Sequence, residues 1–115
     1  MILIAGPHRS GTNNDALTIK QNRQKMEDVI LPIFRAGHIP VIGDWFAVPL
    51  LKVAGSQSHG NPVYEEILYS VTARIVKKCD AILSLNGASR RSEEDVMLAK
   101  VLGIPIYYNL ADLIN

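Results

Sequence analysis

"DAILSLNGASRRSEEDVMLAKVLGIPIYY", residues 80–108, decides the fold. It opens with an apolar run of strand length, "DAILSL". A small-residue loop follows, and then a helix from Ser92 to Leu102 with Gly103 as its stop and a second apolar run, "IPIYY". Strand, helix and strand in that order imply a right-handed crossover between parallel strands.

The same alternation extends toward the amino end. "MILIA" (1–5) is a short apolar run closed by Gly6 and Pro7, as expected for a strand buried on both faces. From Asp15 to Ala36 the residues Met26, Val29, Ile30, Ile33 and Phe34 fall at helical spacing, and Pro32 is expected to kink or split that helix. Gly37 stops it, and "HIPVI" (38–42) gives a second strand. "NPVYEEILYSVTARIVKKC" (61–79) begins with a candidate Asn cap and Pro at the first helical position, and carries Val63, Ile67, Val71 and Ile75 along one stripe. The reading is a single α/β domain over residues 1–115. It is a doubly wound parallel sheet of the flavodoxin-like or Rossmann-like kind, with four or five strands and helices on both faces.

Composition narrows the function. A chain of 115 residues is long enough to bury roughly 65% of its unfolded surface in one core. With 12 Lys and Arg against 11 Asp and Glu, it offers no broad electrostatic footprint for a nucleic acid polymer or an anionic membrane. Cys79 is the single cysteine, so neither an internal disulfide nor a cysteine metal cluster is expected. His8, His38 and His59 are too widely spaced for a metal pattern; no metal and no cofactor is implied. No basic leader or long apolar segment is visible, and a cytoplasmic location is expected.

In open parallel sheets, ligands bind beyond the strands' carboxyl ends, where the strand order reverses. Those ends are the loops beginning at Gly6, Gly43, Asn86 and Tyr108. The first loop, "GPHRSGTNND" (6–15), sets small residues and hydroxyls around Arg9 and His8, so that backbone amides cradle an anion while the guanidinium bonds it twice. A solvated turn explains the same residues. The loop lacks the Lys-Ser/Thr ending of a triphosphate-binding loop and the spaced glycines of a dinucleotide fingerprint. Across the same edge, Asn86, Gly87 and Ser89 lead to Glu93, Glu94 and Asp95. Ser92 and Asp95 outline a capping box, and acids in a first helical turn are favoured by about 0.3–1 kcal/mol each. Capping accounts for all three acids. The competing reading is that one carboxylate faces the first loop and acts on a sugar held between them, kept ionised by the helix N-terminus as a nucleophile requires. Asp44, after the second strand, is the nearest candidate acid for a departing base, with Trp45 and Phe46 beside it to stack; a helix cap followed by core aromatics explains "DWF" equally.

"ILIAGPHRSG", "CDAILSLNGAS" and "EDVMLAKVLGIPI" together resemble the nucleoside 2-deoxyribosyltransferase-like family, including its branch that hydrolyses deoxynucleoside monophosphates. The resemblance spans nearly the whole chain in order. It implies that a carboxylate four residues before the small residue matching Ala99 attacks the anomeric carbon of the sugar. Counting back gives Asp95, where the family typically has Glu; Glu94 or Glu93 is the alternative if the helix register differs. It further implies that Ser89, six residues before Asp95, touches sugar or phosphate, and that Gly6, Arg9, Ser10 and Gly11 form the phosphate- and sugar-binding turn. The implied ligand is a nucleoside or nucleotide, and the implied assembly is a homodimer or higher homo-oligomer that completes the site, with contacts expected from Pro62–Lys78 and "DWFAVPLL" (44–51).

Residues 70–78 depart from that family, which usually has an Asp there to bond the base; Thr72 and Arg74 stand in that region. A nucleotide-binding or sensing module without efficient catalysis is therefore the alternative reading. Asp80 is expected to hold neighbouring backbone, and "VAGSQSHGNP" (53–62) has the composition of either a mobile cover or a plain connector.

Overall fold

The computed structural model describes residues 1–6, 16–55, 62–85 and 90–114. These form a four-stranded, all-parallel sheet with helices on both faces. In chain order the elements are β1 (Ile2–Ala5), α1 (Ala16–Glu27), α2 (Ile30–Arg35), β2 (Pro40–Val41), α3 (Asp44–Val53), α4 (Pro62–Lys78), β3 (Ala81–Ser84), α5 (Arg90–Leu102), β4 (Ile106–Tyr107) and α6 (Leu110–Ile114).

The sheet order is β2-β1-β3-β4. Leu3 of β1 pairs with Val41 on one side and Ile82 on the other, and Ile82 pairs in turn with Ile106. Side chains alternate across the pleat. Ile2 and Ile4 therefore pack with Met26, Val29, Ile33, Ile42 and Leu113 on one face, while Leu3 and Ala5 pack with Val76, Ile82 and Ala99 on the other. Each of these fully buried Ile and Leu side chains contributes about 1.5–3 kcal/mol by leaving water. α3 lies against α4 through Ala47, Leu51 and Leu68.

The expected helix of residues 15–36 is two helices, and it breaks before Pro32 rather than at it. A proline ring clashes with the carbonyl four residues earlier, here that of Asp28, so the helix ends there and restarts with Pro32 as the third residue of α2. Phe34, placed on the apolar stripe by spacing, is exposed, because the restart turns it outward. In α4 the buried stripe is Leu68, Thr72 and Val76, with Ile67, Val71 and Ile75 flanking it. The expected stripe is one residue off because α4 is covered from several sides, by α3, α5 and the sheet.

Gly37 and Gly103 do stop α2 and α5, at φ of 99° and 74°. After Gly103 the amide of Ile104 donates to the Ala99 carbonyl at 2.9 Å and that of Gly103 to Lys100 at 3.3 Å, the double bond of a left-handed helix end. At the strands' amino edge the Asp80 carboxylate accepts a hydrogen bond from the amino group of Met1 at 2.5 Å, the structural role expected of it. That bond holds its pKa below the ordinary value. The neighbouring Cys79 is free and buried, and burial pushes its thiol up to about 11.

Candidate active site

The chain runs from β1 outward to β2 on one side and then returns to the other side of β1 for β3 and β4. The reversal therefore lies between the carboxyl ends of β1 and β3, where a sheet of this order opens a crevice. Those two ends are in contact. The amide of Leu85 donates to the Ala5 carbonyl at 2.8 Å, extending the ladder beyond β3. A Cβ built on Gly6 would lie 3.4 Å from the Leu85 Cβ. His8, Arg9, Ser10, Gly11, Asn86, Gly87 and Ser89 fall in the segments 7–15 and 86–89. They lie outside the described residues, as do Asn61 and the 56–61 part of the connector.

On α5 the structure separates the three acids. The helix begins at Arg90, two residues before Ser92. Glu93 is exposed, Glu94 is intermediate and Asp95 is buried, 8% accessible. Four residues on, Ala99 is fully buried with Leu3, Ala5, Val76 and Ile82. Positions i and i+4 share a helix face, so Asp95 points the way Ala99 does, toward the sheet. α5 starts from the carboxyl edge, and Asp95 lies one turn nearer to that edge than Ala99. A carboxylate is rarely so enclosed unless its oxygens are engaged, and Asp95 is engaged within the fold.

Asp95 is one of three polar residues buried among the described ones, with Asn22 and Thr72. Each stands four residues before a buried apolar residue: Asn22 before Met26, Thr72 before Val76, Asp95 before Ala99. α1 and α4 both reach the carboxyl edge. Met26 Cγ lies 3.6 Å from the Cβ position of Gly6, and Thr72 Oγ1 lies 3.2 Å from that of Gly43, two residues beyond β2. On α5 the inward stripe thus passes from Ala99 to the polar Asp95 toward the crevice, whereas on α4 Thr72 stands between the buried Leu68 and Val76. The Thr72 hydroxyl donates to the Leu68 carbonyl at 2.8 Å, and Arg74 is exposed, so of these two only Thr72 faces inward. Asn22 escaped the sequence reading, although extending the Met26 stripe back by one turn reaches it.

Asp44 opens α3 as its first residue; the cap is Gly43, with no side-chain capping bond. Trp45 and Phe46 are about half exposed and are not core aromatics. Among the described residues no group of three or more His, Cys, Asp or Glu gathers in an arrangement that would hold a metal, and no helix is long and apolar enough to cross a membrane. In comparison with known proteins, the chain matches no family model and no curated protein.

Proposed function

We propose that this chain cleaves or transfers the N-glycosidic bond of a 2'-deoxynucleoside or its 5'-monophosphate, in the manner of the nucleoside 2-deoxyribosyltransferase-like proteins it resembles. The observation that carries this reading is the burial of Asp95, alone of the three acids, on the face of α5 that meets the sheet next to the crevice.

In the proposed reaction an oxygen of Asp95 bonds to the anomeric carbon as the bond to the base nitrogen breaks. Its electron pair leaves with the base, which takes up a proton. Positive charge on the sugar ring in the transition state is stabilised by the carboxylate, and the absence of a 2'-hydroxyl eases its formation. Water, or the nitrogen of a second base, then attacks the same carbon and frees Asp95. Arg9, Ser10 and the amides near Gly6 and Gly11 would hold the phosphate, Ser89 the sugar, and Asp44 and Trp45 the base.

A homodimer belongs to the same proposal. Trp45, Phe46, Val48, Leu50 and Val53 of α3 and Tyr69 of α4 are all at least 48% exposed, an apolar surface of the kind that marks an interface. Sedimentation at high micromolar concentration should give twice the monomer mass; a monomer there would remove this part.

Thr72 favours a second reading, a nucleotide-binding module without efficient catalysis, because a hydroxyl bonded to Leu68 stands in the region where the resembled family has a carboxylate. Incubation with a panel of deoxynucleosides and their monophosphates, followed by chromatography, separates the two. Released base supports the enzyme, binding without release supports the module, and neither binding nor release defeats both.

A further inference from the structure

Among the described side chains of α1, Asn22 and Met26 alone are buried; Leu17, Lys20, Gln21, Arg23, Gln24, Lys25 and Glu27 are exposed. Met26, in the last turn of α1, lies against Gly6 just beyond β1. α1 therefore meets the sheet at its carboxyl edge. Asn22 is buried one turn, about 5.4 Å, back toward the helix start from Met26. Met26 belongs to the core on one face of the sheet and Ala99 to the core on the other, so Asn22 and Asp95 approach the crevice from opposite faces.

An apolar side chain would fill this place without the cost of enclosing a carboxamide. The carboxamide brings two N–H donors and an acceptor oxygen, enough to serve its engagement within the fold and a ligand together. In the proposed reaction Asp95 must face the anomeric carbon, and a phosphate is met by a cation and backbone amides. The remaining part of the ligand is the base, whose edge carries donors and acceptors that a carboxamide matches two at a time.

We propose that Asn22 is a specificity-determining residue that hydrogen-bonds the edge of the nucleobase from the wall opposite Asp95. This rests on the function proposed above.

The test is equilibrium binding of the four common deoxynucleoside monophosphates to the wild-type chain, Asn22→Asp and Asn22→Ser, with folding checked by circular dichroism. Asn22→Asp exchanges a donor for an acceptor. It should shift the ratio of affinities between bases that offer an amino group and bases that offer a carbonyl by about 5- to 150-fold. Asn22→Ser keeps a small polar group if the buried charge of the Asp variant prevents folding, and it should flatten the preference among the four. Equal weakening of all four ligands in the folded variants overturns the role of Asn22 and leaves the proposed function standing. A wild-type chain that binds none of them overturns both.

Discussion

Gly6 and Leu85 meet at the end of the sheet so closely that a Cβ on Gly6 would lie 3.4 Å from that of Leu85 and 3.6 Å from Met26 Cγ. Both are ordinary contact distances, and nothing in the backbone there requires glycine. Gly6→Ala should change stability by no more than about 0.5 kcal/mol. Gly6→Leu has to force Leu85 and Met26 apart and should cost about 1–3 kcal/mol. Urea unfolding of the two variants checks the difference.

Gly103 takes φ of 74° with nothing within 4 Å of its Cβ position. The cost of a side chain there is conformational alone. Gly103→Ala should destabilise by about 1–2 kcal/mol and Gly103→Asn by less, since Asn visits the left-handed region more readily. Equal midpoints for all three in thermal unfolding would show that the turn after α5 rearranges.

Much of the fold is readable in the sequence because its signals are local. "MILIA" and "DAILSL" are uninterrupted apolar runs, and Gly37 and Gly103 stand where helices must turn left-handed. What escapes depends on tertiary cover. α6 is five residues long, too short for periodicity to show. The face of α4 is displaced by one residue because three neighbours share it. Asp95 is singled out in the sequence only by the family resemblance, counted back from Ala99, whereas its burial depends on α5 lying on the sheet. Asn22 looks like a surface residue on a polar helix until Met26 is seen against Gly6.

Cys79 is enclosed beside Asp80, and burial raises its pKa to about 11. At pH 8 only about one thiol in a thousand is then ionised, and the thiolate is the reactive form. Alkylation of the native protein at pH 8 should be at least about 100-fold slower than in urea. Since the raised pKa belongs to the folded state, native reactivity should keep rising from pH 8 to 10. A native reaction as fast as that in urea, levelling off above about pH 9, would place the thiol in solvent.

On the proposed function Asp95, and not Glu93 or Glu94, is the nucleophile. Asp95→Asn keeps the shape of the side chain and removes its charge, so base release from a deoxynucleoside monophosphate should fall by at least about 1,000-fold, on the order of 4 kcal/mol in the barrier, with nucleotide binding retained. Glu94→Gln should keep most of the activity, and Asp95→Glu, if the backbone leaves room for one more methylene, should retain or raise it. The most direct measurement is single-turnover release of base by the wild-type chain, Asp95→Asn and Glu94→Gln side by side. Release by the wild type and Glu94→Gln with none from Asp95→Asn is the predicted result; full release by Asp95→Asn would contradict the claim.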